Sequence, residues 1–389
     1  MPQDSALLPE LTASPRPQRA APGSARPALL SLATAVPPVV LHQADVIARA
    51  ATLFDGRKSD IERLMPVFEN AGIATRYSCV PLDWYERDHG WAERNRLYTE
   101  HALDLLEHAA QECLDRAGVA AGAVDAIVTV STTGIATPSL DARLMERLAI
   151  RRDAARLPIF GLGCAGGVLG LARAASLAQS MPGARVLCLV VELCALTFRK
   201  MDQSKSNIIA AALFGDGAAA VLLGPPGDAA AAPPPVIEAP IIEAPIFEAR
   251  GEYTWPDSLD VMGWHVEDDG LGVLFSRDIP TLVRTQFRPV LDRFLTGEGL
   301  SVSDIDGFAC HPGGVKVIAA LEEAFALPPG SLEIAREILT EYGNMSAVTV
   351  LFVLERLLRA RRQRNRRGRV LMSALGPGFT AGFLTLSGA

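Results

Sequence analysis

Three residues of this chain share a setting that suits chemistry. Cys164 lies in Gly161-Leu-Gly-Cys-Ala-Gly-Gly, between a short apolar run and a helical pattern. A thiol at a helix N-terminus faces unpaired N–H groups and the positive end of the helix dipole. Both favour the thiolate, so such a cysteine can drop well below its free pKa of about 8.5. The flanking glycines let a ligand approach the backbone and offer N–H donors to an oxyanion. The bland alternative is a small buried thiol in a tight strand–helix crossing. His311 opens His-Pro-Gly-Gly after a strand pattern, which places the imidazole at a strand tip. Alone it could equally be a capping or surface histidine. Asn344 lies in Glu341-Tyr-Gly-Asn-Met-Ser before a long apolar helix, where an N-cap asparagine is also at home. Together they supply a nucleophile, a proton carrier and a hydrogen-bonding group that cannot titrate.

Those junctions require a particular scaffold. Apolar residues at helical spacing over 97–117, stopped by Gly118, predict a helix. A buried strand follows at 125–131, then a helix at 139–148, a short strand at 157–163, a helix at 168–180 and a strand at 185–192. Gly-Asp-Gly at 215–217 leads into a further strand. The second half repeats the style, with helices at 281–295, 315–325 and 347–362 and strands at 305–310, 369–374 and 380–387. Alternation of this kind predicts an α/β fold. Residues 1–28 are rich in Pro, Ala, Ser and Arg without an apolar period, and are expected to be a disordered extension. The halves are expected at 29–224 and 251–389, with 225–250 a linker or insert. That insert carries Val-Ile-Glu-Ala-Pro, Ile-Ile-Glu-Ala-Pro and Ile-Phe-Glu-Ala-Arg, and a central strand does not tolerate proline at that frequency.

Composition narrows the class. The 389 residues carry Lys+Arg 37 against Asp+Glu 44, a net −7 that points neither to nucleic acid nor to an anionic membrane. Six scattered cysteines without a C-x-x-C pair argue against a disulfide scaffold and a zinc ribbon, and fit a reducing, cytoplasmic setting. The most apolar window, 186–196, is too short to span a bilayer and contains Glu192. Seven arginines crowd positions 359–369; they suit a solvated helix end, with an acyl-carrier or membrane docking patch as the rival.

Several longer stretches carry a resemblance. Gly163-Cys-Ala-Gly-Gly, Glu192-Leu-Cys-Ala-Leu-Thr-Phe-Arg, Ala212-Leu-Phe-Gly-Asp-Gly-Ala-Ala-Ala, His311-Pro-Gly-Gly and Glu341-Tyr-Gly-Asn-Met-Ser resemble the type III polyketide synthases, the chalcone-synthase-like enzymes. Asp260-Val-Met-Gly-Trp and Gly270-Leu-Gly-Val-Leu-Phe-Ser-Arg-Asp-Ile-Pro resemble the bacterial alkylpyrone and alkylresorcinol branch. The resemblance runs from about residue 30 to the C-terminus and implies a thiolase-like fold of duplicated αβαβα halves. It implies a homodimeric acyltransferase that needs no cofactor and takes malonyl-CoA and an acyl-CoA starter. Cys164 would accept the acyl group, and His311 and Asn344 would bind the malonyl thioester.

Further positions follow from the same match. Phe214 would be a gatekeeper aromatic, with a second gatekeeper at Val273 or Phe275. Thr132, Thr137, Cys194, Thr197, Ser346 and the Gly376-Pro377-Gly378 turn would shape the substrate cavity, and Arg63 would serve the CoA entrance. Neighbouring Pro66 and Asn70 are not basic, which keeps an acyl carrier protein open as the donor. Modest residues at 137 and 194 suggest room for a medium or long aliphatic starter rather than a flat aromatic one. The rivals are a ketoacyl synthase that initiates fatty acids, a papain-like hydrolase sharing the order Cys…His…Asn, and a non-catalytic acyl-binding protein of the same fold.

Overall fold

The computed structural model describes residues 26–53, 66–227 and 244–389. The expected extension, Arg63 and most of the Pro-rich insert lie outside the described residues.

The chain builds one nine-stranded sheet in two matching parts. The first part contains β1 (Ala28–Ala35), β4 (Ala126–Val130), β5 (Ala155–Ile159), β6 (Val186–Leu193) and β7 (Asp216–Gly224). The second contains β8 (Ile246–Thr254), β11 (Gly307–Cys310), β12 (Val370–Gly376) and β13 (Thr380–Ser387). The order is β11-β12-β13-β8-β1-β7-β6-β4-β5. From β4 through β6 and β7 to β1 the pairings are parallel, antiparallel, antiparallel. From β11 through β12 and β13 to β8 the same sequence of pairings recurs. The two parts are joined at the single pair Ala28↔Ile246.

Helices match in the same way. Helix α4 (Gly166–Ser180) directly precedes β6, and α9 (Thr349–Gln363) directly precedes β12. Cys164 sits just before α4 and Asn344 shortly before α9, so they occupy corresponding places in the two halves. The chain is apolar around most of α4 because this helix is covered on all sides. It meets strands of both parts and α9 as well. The contact is close at Gly167, where a Cβ would come within 2.1 Å of the Ala347 carbonyl oxygen. Strands β6 and β7 are buried on both faces, which explains their unbroken apolar runs. On the outer side, α2 (Trp91–Ala117) ends where Gly118 turns left-handed with φ 63°, as the glycine stop predicts.

One boundary is corrected. The third unit of the repeat, Ile246 to Arg250, is part of β8 rather than linker. Unlike the first two units it ends in Arg rather than Pro, so its backbone can complete a ladder. The arginine run also divides. Arg361 donates to the carbonyls of Ala389 (3.1 Å) and Asp306 (2.8 Å), and Arg369 pairs with Glu248 at 2.6 Å. The run lies at the C-terminal end of α9, about 22 Å along the helix from the end that follows Asn344. Among the described residues, no helix is long and apolar enough to cross a membrane.

Candidate active site

Cys164 stands in a turn, Gly163–Ala165, that feeds directly into α4. Two local fits hold the turn. Gly163 has φ 47°, and a Cβ there would lie 2.6 Å from Pro377 Cδ. Its N–H donates to Thr132 Oγ1 at 3.2 Å. The Gly376-Pro377-Gly378 turn therefore packs directly against the cysteine turn, as expected from sequence.

The second half brings its residues to the same place. The Ser346 side chain comes close enough to the Cys164 thiol to oppose the rise in its pKa. Ser346 is held left-handed at φ 48°, a strained conformation for a non-glycine residue. Its N–H donates to Asn344 Oδ1 at 2.8 Å, and Asn344 Nδ2 donates to the Gly313 carbonyl at 3.3 Å. Gly313 lies against the His311 ring: a Cβ on it would be 3.8 Å from Nε2. His311 extends the β11 ladder by donating its N–H to Ser373 O at 2.9 Å. Cys164, Ser346, Asn344, Gly313 and His311 thus form one connected chain of contacts across the two halves.

The electrostatics are set by burial. Burial pushes the Cys164 thiol up to about 12, with the nearby Glu192 carboxyl adding to the rise and Ser346 opposing it. Burial pushes the His311 imidazole down to about 4. Burial therefore works against the lowering expected from the helix N-terminus. Among the described residues, both His311 ring nitrogens are buried without a protein hydrogen-bond partner. Buried polar atoms are normally paired, so an unpaired imidazole in a site of this kind is available to a ligand.

Near the thiol lies an acidic residue, Glu192, to which the sequence analysis gave no role. Glu192 is fully buried on β6; its Oε2 accepts from Thr132 N–H (3.0 Å) and Thr133 Oγ1–H (2.8 Å). Burial raises its carboxyl to about 7. The available signal was a charge inside the most apolar window of the chain.

A cavity adjoins this centre. Its wall is mainly apolar. Cys194, Thr197 and Phe214 line it, together with Ala195, Phe198, Ala210 and Ala211. It continues to Leu41, Val46, Ala50, Phe68, Leu82 and Tyr85. Phe214 is tied to Asn344, because Asn344 N–H donates to Leu213 O (2.8 Å) and Gly215 N–H to Asn344 O (3.0 Å). Val273 and Phe275 pack with Phe214 and Cys194, and Trp264 joins them without having been foreseen. Thr137 is exposed on the loop after β4 and is not among the residues that line this cavity.

A duplicated α/β scaffold with a buried cysteine before one central helix, and His and Asn supplied by the other half, defines a thiolase-like acyltransferase. Comparison with known proteins gives the family. Residues 14–227 match the N-terminal domain of the chalcone and stilbene synthases, and residues 249–388 match their C-terminal domain. A putative chalcone synthase of Bacillus subtilis is 39% identical over 92% of this chain and 98% of its own length. A 1,3,6,8-tetrahydroxynaphthalene synthase of Streptomyces peucetius is 37% identical over 91% of each chain. The crystal structure of the Streptomyces coelicolor tetrahydroxynaphthalene synthase superposes with a TM-score of 0.83 at 26% identity, covering 92% of this chain and 99% of that one. The chain belongs to the chalcone and stilbene synthase family and is a type III polyketide synthase.

Proposed function

We propose that the protein condenses malonyl-CoA onto a medium- or long-chain fatty acyl starter and cyclises the product to an alkylpyrone or alkylresorcinol. The observation that carries this reading is the apolar cavity running from Cys194, Thr197 and Phe214 to Val46, Ala50 and Phe68. Each methylene buried there contributes about 0.8 kcal/mol. The product named for the Streptomyces relatives, 1,3,6,8-tetrahydroxynaphthalene, carries no alkyl tail and would leave such a cavity unused.

In this reading Cys164 Sγ attacks the starter thioester and CoA leaves as the thiolate. Burial disfavours a lone charge on either Cys164 or His311. Transfer of the thiol proton to His311 creates two opposite charges together, and their attraction offsets that cost. Malonyl-CoA then places its thioester oxygen at His311 and Asn344. Its C–CO2 bond breaks, CO2 departs, and the electron pair becomes an enolate whose oxygen those donors stabilise. The enolate carbon attacks the acyl-Cys164 carbonyl and Cys164 leaves. The chain, two carbons longer, is now on CoA and can reload. No cofactor is required by any step. CoA is favoured as donor over a carrier protein, because the arginine run lies at the far end of α9.

A homodimer completes the proposal. Among the described residues edge strand β5 pairs only with β4; it is exposed along most of its length and leads into Phe160, 58% exposed, and Ile135 on the loop after β4 is 50% exposed. An uncovered apolar edge of this kind calls for a partner.

The test is a panel of acyl-CoA starters from acetyl to palmitoyl with malonyl-CoA, products identified by mass. Faster turnover with decanoyl- to palmitoyl-CoA than with acetyl-CoA supports the reading. Equal or slower turnover, or a tail-less product from malonyl-CoA alone, refutes it.

A further inference from the structure

Strand β3 (Thr75–Ser78) pairs with β2 (Val39–His42) in a two-stranded ribbon at the wall of the apolar cavity. Alternation along β3 buries Arg76 and Ser78, with Thr75 and Tyr77 on the other face. An arginine at an inward position of a strand conflicts with the fold locally, and such conflicts are expected at functional sites. Arg76 is 2% exposed and lines the cavity, as does Leu41, which stands directly opposite it in the register.

The other nitrogen- and oxygen-bearing side chains of the cavity wall are engaged. Arg49 pairs with Glu86. The Tyr85 hydroxyl lies 2.7 Å from Ser78 Oγ, and the Thr197 hydroxyl donates to the Cys194 carbonyl at 2.7 Å. Arg76 differs: among the described residues its Nη1 has no hydrogen-bond partner. Asp216 is near enough to act on the guanidinium, but its two oxygens accept from the N–H groups of Ala195 (2.8 Å) and Cys79 (3.0 Å). Burial lowers the Arg76 guanidinium to about 10, so it stays cationic at neutral pH.

A buried donor without an acceptor is costly, and so is a buried cation without a paired anion. A methyl-ended tail lying against Arg76 leaves both costs in place. A tail that carries a carboxylate removes both. The guanidinium presents parallel donors that match two carboxylate oxygens, and opposite charges attract strongly where water is excluded. The apolar remainder of the wall still covers the methylenes between the thioester and that carboxylate.

We propose that Arg76 is a specificity-determining residue that seats a carboxylate carried by the starter tail, so that the cavity takes ω-carboxylated acyl-CoA starters in preference to methyl-ended ones of equal length. The assignment rests on the proposed seat of the starter tail.

The experiment uses the full-length chain with malonyl-CoA and two matched series of starters. One series is hexanoyl-, octanoyl-, decanoyl- and dodecanoyl-CoA; the other is the mono-CoA thioesters of the corresponding α,ω-dicarboxylic acids. At the best-fitting length the carboxylated starter should exceed its methyl-ended counterpart in kcat/KM by about tenfold or more, the effect of one hydrogen bond to a charged group. Arg76→Met keeps the length of the stem, removes the charge and should lower that ratio by about tenfold or more. Arg76→Lys should keep the ratio above one. Leu41→Glu supplies a carboxylate directly across the ribbon and should abolish the preference with the arginine still present; it decides the matter if Arg76→Met does not fold. A wild type without preference for the carboxylated starter at any length overturns the proposal, as does a preference that survives in folded Arg76→Met or Leu41→Glu. Failure of the tail seat shows separately, as wild-type turnover of acetyl-CoA that equals or exceeds that of every longer starter in both series.

Discussion

Ala50 offers a direct way to test where the starter tail lies. It is buried on α1 (Gln43–Leu53) and lines the cavity beside Val46, in a different layer from Cys194 and Phe214. Ala50→Phe places a ring in the far part of the cavity and leaves the residues around Cys164 untouched. If the ring excludes the last four methylenes of a palmitoyl tail, the lost burial is about 3 kcal/mol at ~0.8 kcal/mol per methylene. That corresponds to roughly a 200-fold fall in kcat/KM for palmitoyl-CoA. Acetyl-CoA does not reach this region, so its kcat/KM should change less than threefold. The assay is steady-state malonyl condensation with both starters, with a thermal melt confirming that the variant is folded. An unchanged ratio between the two starters in a folded Ala50→Phe would refute the reasoning, because the tail could not then occupy this cavity.

Three further outcomes are expected. Asn344→Ala removes a donor from the enolate and should cut malonyl decarboxylation by about 2.7–4 kcal/mol, roughly 100- to 1,000-fold, measured as CO2 release. Gly167→Ala drives a Cβ into the Ala347 carbonyl where α4 and α9 cross; overpacking of about 1–3 kcal/mol should lower the melting temperature and slow Cys164 acylation together. Glu192 has its carboxyl raised by burial to about 7, above its unfolded value, so its carboxyl contribution to stability is present at low pH and lost as pH rises through 7. Glu192→Gln keeps an acceptor for Thr132 and should therefore show a smaller drop in melting temperature between pH 5 and pH 8 than the wild type; an equal drop would count against the assignment.

The site was legible in the sequence where its chemistry is local. Cys164, His311 and Asn344 each announce themselves through a glycine-rich turn between elements, and the structure links them through Ser346 and Gly313. Gly376 to Gly378 were recognisable for the same reason, whereas Phe214 came from the family resemblance alone. The packing of Trp264 against Phe214 was not legible, because it depends on the register that sets Trp264 opposite Val273. The Pro-punctuated repeat concealed the start of β8, since two units with proline masked a third that can pair. Glu192 was visible as a charge in an apolar run and as the start of a family-like stretch, but its hydrogen bonds to Thr132 and Thr133 come from distant parts of the chain. The matching pairing pattern of the two halves was beyond reach, because parallel and antiparallel neighbours are fixed by long-range contacts.

The central claim is that Cys164 carries the growing chain. The most direct measurement is intact-mass and peptide-mass analysis after brief incubation with palmitoyl-CoA in the absence of malonyl-CoA. The account predicts one acyl group per chain, located on the peptide containing Cys164 and absent from Cys164→Ala. An acyl group on another of the six cysteines, or equal labelling of Cys164→Ala, would contradict it.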